Sequence, residues 1–345
     1  MRQLSLDALF GTGKREVVRS SVGTKHTVVV EPDNGLGPSC KFVDLFAGFG
    51  GASVGATDAG CDVVLAVDCW KEAMEVHALN HPETVHLCVS LPPEQPLPLP
   101  AAGERWHMHG SPPCTALSKA ATHDRTDQQR EDGLEMVRWY IDYALESSAT
   151  TWSMEQVPTK SVCRLLRSYR LAGAPHRNLI DWDVFDFCHF GVPQHRKRIL
   201  AGTPSLIAKM RRARKQRRSA QEFIAEPKGT HLRNNALYGN MPKNGTKKDR
   251  KKYSKDELVL PITGPSYTVC AAQSLRWATP YTNTPLVWLT AQESARLQAF
   301  PEGYKLNENN KISQTGVGNA VPPPVLTQML NPSNRPVSPS LVWRP

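Results

Sequence analysis

The chain has 345 residues, of which 40% are hydrophobic and 21% are charged, and its formal net charge is +10. These proportions exclude a wholly disordered, collagen-like or coiled-coil chain, and the length suggests two lobes or one large domain with an insertion. No apolar run in the sequence reaches the roughly 18 residues of a spanning helix, and residues 1–30 lack a signal-peptide pattern. We therefore expect a soluble, intracellular protein without a membrane partner.

Short apolar segments alternate with amphipathic ones from Phe42 onwards, after an irregular arm with one candidate strand at Thr27–Val30. The pattern predicts strands at Phe42–Phe46, Val63–Val67, Val85–Val89, Trp106–His109 and Thr151–Glu155. It predicts helices at Ala52–Ala59, Lys71–Leu79, Gln128–Glu146, Val162–Leu171, Ala291–Ala299 and Val325–Leu330. This alternation is typical of an α/β fold with a doubly wound, mostly parallel, Rossmann-like sheet.

The segment after residue 200 has weak periodicity and a strong positive charge. Between Ala201 and Asp256 there are 16 basic and four acidic residues. Clustered cations bind polyanions because they release phosphate counterions, which favours a nucleic-acid partner. A solvated basic loop or a localisation signal is the alternative interpretation of the same charge.

The eight cysteines are scattered along the chain. They form no C-x-x-C pair and no Cys/His cluster at zinc spacing, so we predict neither a disulfide framework nor a bound metal. Most of them should be small buried hydrophobic residues.

A glycine-rich turn follows the first predicted strand. It contains Gly48, Gly50 and Gly51, and Asp68 ends the next strand 20 residues after Gly48. Glycines let the backbone approach a ligand closely, and an acid at the next strand end can bind ribose hydroxyls. The turn therefore predicts a nucleoside site, although its G-x-G-G spacing differs from the dinucleotide fingerprint.

Three further strand ends carry candidate catalytic groups. Cys114 follows a proline pair, and this rigid turn places it in the crevice where open α/β sheets bind ligands. Glu155 ends another strand, and Arg196 and Arg198 can point to one side of an extended strand. A carboxyl group and guanidinium groups can hold a planar, amide-like ring. A buried turn cysteine and ordinary salt bridges are the alternative interpretations.

The order of these blocks resembles that of the DNA cytosine-5 methyltransferases. The glycine-rich turn, the acid, the P-P-C turn, the Glu strand, the Q-x-R-x-R segment and the basic insert are followed by Arg296–Pro301 and Gly318–Pro322. The match covers about residues 42–330. The resemblance implies a methyltransferase fold with a smaller irregular target-recognition lobe. It also implies methyl transfer from S-adenosylmethionine to C5 of cytosine in double-stranded DNA, without a metal.

The resemblance assigns a role to each candidate residue. It implies that Cys114 adds to cytosine C6, that Glu155 acts at N3 and that Arg198, supported by Arg196, contacts the carbonyl of a flipped-out base. The residues implied to bind S-adenosylmethionine are Phe46, Gly48, Phe49, Gly50, Asp68, Trp70, Asn319 and Val321. The residues expected to contact DNA are Ser118, Gln194, Thr268, Arg211, Arg212, Lys251 and Lys252.

The predicted domains follow from these blocks. They are an arm at 1–40, a catalytic domain at 41–202 plus 289–331, a recognition domain at 203–288 and a tail at 332–345. The arm and the tail leave no room for appended reader domains, which favours a stand-alone, monomeric bacterial, phage or viral enzyme. The expected location is the cytoplasm of a prokaryote or a virus-infected host, or the nucleus of a eukaryote. A restriction endonuclease is an expected partner.

Three parts of the sequence depart from the family pattern. Gln156 replaces the Asn that would order the catalytic loop, Thr115 replaces a Gln after the cysteine, and Ser90 and Leu91 stand where an acid often lies near the adenine. These departures predict slower turnover, altered loop contacts to DNA and weaker cofactor affinity. A tRNA cytosine-5 methyltransferase and a catalytically silent DNA-binding subunit remain the alternatives.

Overall fold

The computed structural model describes residues 40–113, 126–213, 217–234, 259–272, 275–278 and 287–331. The strands in these residues are β1 (Lys41–Leu45), β2 (Asp62–Asp68), β3 (Val85–Cys88), β4 (Trp106–Gly110), β5 (Thr151–Gln156), β6 (Asp181–Asp186), β7 (Lys197–Gly202), β8 (His231–Asn234), β9 (Val259–Pro261) and β10 (Leu275–Ala278). The helices are α1 (Gly51–Asp58), α2 (Lys71–Asn80), α3 (Asp127–Glu146), α4 (Lys160–Tyr169), α5 (Pro204–Arg212), α6 (Ala291–Leu297), α7 (Asn310–Asn319) and α8 (Pro323–Leu330). None of these helices is long and apolar enough to cross a membrane.

The centre of the fold is a seven-stranded sheet in the order β3-β2-β1-β4-β5-β7-β6. Strands β1 to β5 pair in parallel, because a helix or a long connection returns the chain to the same end of the sheet each time. The predicted mostly parallel α/β sheet is therefore confirmed. Strands β1–β5 and helices α1–α4 lie within two residues of their predicted bounds.

Strand β7 runs antiparallel to both of its neighbours, β5 and β6. A short 3-10 turn at Phe187–Phe190, followed by Gly191 with φ 87°, leads the chain out of β6. The sequence did not predict this reversal. Its consequence is functional, because the chain that returns along β7 carries Arg198 beside the end of β5.

Helices cover both faces of the sheet, which explains its continuous apolar strands. One face packs against α3 and α4 through residues such as Val137, Ile141 and Leu165. The other face packs against α1, α5 and α8 through residues such as Leu206 and Val325.

The described residues of the predicted recognition domain, 203–288, belong to two different parts of the fold. Helix α5 contacts β6, β7 and α8, so it packs on the main sheet although it lies in the segment predicted as the recognition domain. Strands β8, β9 and β10 form a separate antiparallel sheet. The candidate strand at Thr27–Val30 lies outside the described residues.

Candidate active site

A cavity of about 300 Å³ opens at the carboxyl ends of the central parallel strands. This is where open α/β sheets bind ligands, because the connections diverge there. Six of the eight residues predicted to bind the cofactor line it, namely Phe46, Gly48, Asp68, Trp70, Asn319 and Val321. Of the described residues predicted for catalysis, Glu155 lines the same cavity and Arg196 and Arg198 do not; Pro112 and Pro113, which precede Cys114 in the chain, also line it.

The glycine-rich turn forms one wall of the cavity. Gly48 and Gly50 have positive φ angles of 52° and 76°, which favour glycine. A Cβ atom on Gly51 would lie 2.1 Å from the carbonyl oxygen of Val321. The turn therefore brings α1 against the segment that precedes α8, and this close approach closes the cavity on that side.

Phe49 and Gly50, predicted as cofactor contacts, do not line the cavity. The Phe49 side chain is fully buried and stacks on Trp70 at a ring-centroid distance of 5.7 Å. A Cβ atom on Gly50 would lie 2.9 Å from the His77 ring. These two residues therefore lie behind the residues that line the cavity, because the turn directs them into the core.

Asp68 is held in place at the end of β2. Its Oδ2 accepts a hydrogen bond from the Gly48 backbone at 2.9 Å, and its Oδ1 accepts one from the Trp70 backbone at 2.8 Å. Burial raises the pKa of Asp68, although these backbone hydrogen bonds partly offset that effect. The carboxyl group is thus oriented before any ligand arrives, as a ribose-binding acid requires.

Some of the lining was not predicted. Cys69 and Val89 lie on the wall beyond Asp68, next to Ser90 and Leu91, the positions where the sequence departs from the family acid. Met136 of α3 closes another side. No spacing rule marks Met136, because it reaches the cavity from a distant helix.

Glu155 lines the cavity and forms an ion pair with Arg198, which is not itself a lining residue. Arg198 Nε lies 3.0 Å from Glu155 Oε1, and both side chains are largely buried. The contact is an ion pair and not a hydrogen bond, because Oε1 has no partner of good hydrogen-bond geometry among the described residues. A buried carboxylate can accept a hydrogen bond from a planar heterocycle, and a guanidinium beside it can donate one to the same ring.

Arg196 has a different position from the one predicted. Its side chain is only 2% exposed, and its guanidinium donates to the carbonyl oxygens of Val269, Gly318 and Ala320 at 3.0–3.2 Å. Its Nε lies 4.0 Å from Glu155 Oε1. Arg196 therefore positions three segments of the chain and does not face the cavity.

Comparisons with known proteins agree with this geometry. Residues 40–159 and 202–333 match the family described as C-5 cytosine-specific DNA methylase. The chain belongs to this family. The resemblance seen in the order of the motifs is thus confirmed.

Two relatives of this methylase align along most of their length. The type II methyltransferase M.HgiDI of Herpetosiphon aurantiacus is 25% identical over 288 residues, covering 82% of this chain and 90% of the relative. The type II methyltransferase M.MthTI of Methanothermobacter thermautotrophicus is 25% identical over 314 residues, covering 81% and 92%.

Solved structures share the fold of the methylase. One, described as a DNA modification methyltransferase encoded within an E. coli prophage, has a TM-score of 0.56 and 18% identity over 85% of this chain and 98% of that chain. The S. pombe Dnmt2 methyltransferase has a TM-score of 0.53 and 14% identity over 85% and 97%.

Gln156 departs from the sequence pattern of the methylases, and its side chain contacts the proline turn. Its Nε2 donates to the carbonyl oxygen of Pro112 at 3.0 Å, and its Oε1 accepts from the Val157 backbone at 2.7 Å. The side chain is fully buried. The longer amide therefore ties the proline turn to the end of β5, and the slower turnover expected from this departure stays a prediction.

The residues expected to contact DNA fall into three groups. Ser118, Lys251 and Lys252 lie outside the described residues, as do Cys114 and Thr115. Gln194 is fully buried and bonds to Val269, Leu297 and Gln298, so its side chain is a structural link and not a DNA contact.

The remaining expected contacts are accessible to different degrees. Thr268 donates its hydroxyl proton to the His195 carbonyl oxygen, which holds the recognition segment beside the catalytic sheet. Arg211 forms ion pairs with Asp181 at 2.5 Å and Asp183 at 2.8 Å, so most of its charge is already compensated. Arg212 is exposed at the end of α5.

A buried polar chain beneath the glycine-rich turn was not predicted. Ser53 Oγ donates to Asp44 Oδ2 at 2.6 Å, His77 Nε2 lies 3.0 Å from Ser53 Oγ, and His77 Nδ1 lies 2.8 Å from His86 Nε2. Burial raises the pKa of Asp44 to about 7. A lone Asp in an apolar strand and a His at helical spacing gave no sign of this contact in the sequence.

Proposed function

We propose that this methylase transfers a methyl group from S-adenosylmethionine to C5 of cytosine in double-stranded DNA, through a covalent adduct with Cys114. One observation carries the proposal. A single cavity is lined by the nucleoside-binding turn with Asp68 and by the proline turn with Glu155. Donor and target base would meet there, because both sets of residues face the same space.

The cavity fits a nucleoside-derived donor. Its volume of about 300 Å³ is at the lower end of small-molecule pockets, and an oriented carboxylate stands beside a glycine turn. Phe46, Gly48, Asp68, Trp70, Asn319 and Val321 would hold the donor. When bound, S-adenosylmethionine supplies an electrophilic sulfonium methyl group.

The protein residues make the base reactive. Cytosine C5 is a poor nucleophile, and addition of the Cys114 thiolate to C6 makes C5 enamine-like. Glu155 would donate its carboxyl proton to N3 and so withdraw the developing negative charge, while Arg198 would contact the carbonyl oxygen of the base. After methyl transfer to C5, a base would remove the C5 proton and the Cys114 thiolate would be eliminated from C6, which restores the aromatic ring. The ion pair between Glu155 and Arg198 supports this assignment because it holds the two groups side by side.

The substrate must enter as a single flipped base. No side chain reaches C6 inside a stacked duplex, and unstacking costs a few kcal/mol. The basic segment would supply phosphate contacts, with Ser118, Thr268, Arg212, Lys251 and Lys252 as the retained candidates. We place the start of the recognition domain after α5, since α5 packs on the main sheet.

The biological role rests on the relatives. Both aligned relatives are named type II methyltransferases. We propose that this chain is likewise a monomeric modification enzyme of the prokaryotic cytoplasm, paired with an endonuclease of the same specificity.

The deciding experiment measures the product. Wild type and Cys114→Ser are expressed in a host that lacks cytosine methylation, and genomic DNA is digested to nucleosides for mass spectrometry. We expect 5-methylcytosine with the wild type only, and bisulfite sequencing of the same DNA then gives the target site. Folded wild-type protein without signal would refute the proposal, and a digest of host tRNA would then separate an RNA methyltransferase from a silent DNA-binding subunit.

A further inference from the structure

The turn between β6 and β7 brings three metal-ligating side chains together. The ligand atoms of Asp186, Cys188 and His195 all lie within 4.8 Å of one another. Asp186 caps the 3-10 turn, Cys188 lies inside it, and His195 stands just before β7. This D-x-C spacing with a distant His does not match the common zinc patterns, so the sequence gave no indication of it.

The carboxylate of Asp186 is fixed by the backbone. Its Oδ1 accepts hydrogen bonds from the amides of Arg196 at 2.9 Å and Cys188 at 3.4 Å. Its Oδ2 lies 3.0 Å from His195 Nδ1. The Cys188 sulfur lies within 4.8 Å of a carboxylate oxygen of Asp186 and of a ring nitrogen of His195.

We propose that this cluster, Asp186, Cys188 and His195, binds one divalent cation of the zinc class. A carboxylate and a thiolate together neutralise the two charges of the cation, and a neutral imidazole completes a mixed S, N and O donor set. Thiolate and imidazole favour zinc, cobalt or cadmium over magnesium or calcium. Three protein ligands leave the fourth tetrahedral position to water.

Binding of the cation at this site releases one proton, that of the Cys188 thiol. A zinc-class cation binds the thiolate, so the thiol proton must leave to solvent. Arg217 acts on the cluster from one side, and its guanidinium lies 3.0 Å from His189 Nε2. Its charge favours the thiolate, although it also repels the cation.

The site lies outside the proposed catalytic cavity. None of its three residues lines that cavity. It is nevertheless linked to it along the chain, because the Arg196 amide that bonds to Asp186 lies two residues before Arg198. A bound cation would bridge Asp186 and the 41% exposed His195 side chain just before β7.

The test uses Co²⁺ as a spectroscopic probe on the full-length protein after treatment with a chelator. We expect about one equivalent to produce a thiolate-to-cobalt charge-transfer band that Zn²⁺ then abolishes by competition. Cys188→Ser should lose the band, and His195→Gln should weaken Co²⁺ affinity roughly a hundredfold or more. The matched control is Cys163→Ser, which removes a half-buried cysteine of α4 outside the cluster and should leave the titration unchanged.

Two results would overturn the proposal. One is a wild type without the band, and the other is a band that survives Cys188→Ser. Since Cys188 is fully buried and its variant can fail to fold, His195→Gln at the surface gives an independent decision: unchanged Co²⁺ affinity in that variant refutes the site. Methylation of DNA is not part of the readout, so the outcome is independent of the proposed function.

Discussion

The buried histidine at the end of β4 makes stability depend on pH in a way that can be measured. His109 is fully buried just before the proline turn, with Nδ1 2.8 Å from Ser153 Oγ. Burial lowers the pKa of His109 to about 3, against about 6.5 in an unfolded chain. Between these values the unfolded state binds a proton that the folded state excludes, so the free energy of unfolding decreases as the pH falls.

The magnitude follows from linkage. From about pH 7.5 to about pH 5.5, the unfolded state becomes protonated while folded His109 stays neutral, which removes about 1.4 kcal/mol. His109→Asn retains an amide that can reach Ser153 but no titrating ring. The variant will be less stable at both pH values, because removal of the imidazole ring creates a cavity beside Phe42. The decrease in its free energy of unfolding between the two pH values should be about 1.4 kcal/mol smaller than the decrease in the wild type.

Urea unfolding at the two pH values, followed by tryptophan fluorescence and extrapolated linearly, measures this difference. Asp44 acts in the opposite direction, because burial raises its pKa to about 7 and its folded form gains a proton as the pH falls. That contribution is common to both proteins and cancels. His176→Asn, at a partly exposed position, controls for removal of a histidine. A His109→Asn variant that loses as much stability as the wild type would refute the reasoning.

Three further substitutions test the site and its frame. Asp68→Asn removes the charged partner of the Gly48 and Trp70 amides, so the KM for S-adenosylmethionine should rise about tenfold or more with kcat nearly unchanged. A fall in kcat at constant KM would contradict this prediction. Arg198→Lys replaces the planar guanidinium beside Glu155 and should lower kcat about 100-fold to 1000-fold, while the midpoint of thermal unfolding stays near that of the wild type. Full activity of the variant would show that Arg198 has no part in the mechanism. Gly51→Ala places a methyl group 2.1 Å from a backbone oxygen and should lower the free energy of unfolding, measured with urea, by about 2 kcal/mol or more. Gly264→Ala, whose nearest contact is at 4.0 Å, should change it little, and equal effects of the two variants would contradict the packing of α1 described above.

The sequence predicted the parallel half of the sheet well because each strand and helix there has its own periodicity. Strands β1 to β5 are short apolar runs bounded by turn residues, and their order follows from right-handed crossovers. The reversal at β7 was not predicted, since its antiparallel pairing with β5 and with the edge strand β6 depends on packing between distant segments. Helix α7 was also missed, because its sequence contains two glycines and few apolar residues.

Spacing predicted which residues gather at the site, but not how deeply each one lies. The alternation of Arg196 and Arg198 correctly suggested that both approach Glu155. Only the fold shows that Arg196 turns inward, because its partners are carbonyl groups more than 70 residues further along the chain. The same limit explains why Gln194 was taken for a DNA contact.

The hydrogen bonds of Arg196 have a consequence for exchanging recognition segments between related enzymes. The acceptors of its guanidinium at Val269, Gly318 and Ala320 are main-chain carbonyl groups. The hydrogen bond between Arg196 and position 269 therefore needs no particular side chain at that position, although the Val269 side chain itself is buried in the core. A segment from a relative with another target sequence should be accepted, provided that its backbone follows the same path from Ser266 to Val269. Specificity can then change by replacement of whole loops while the catalytic frame stays intact.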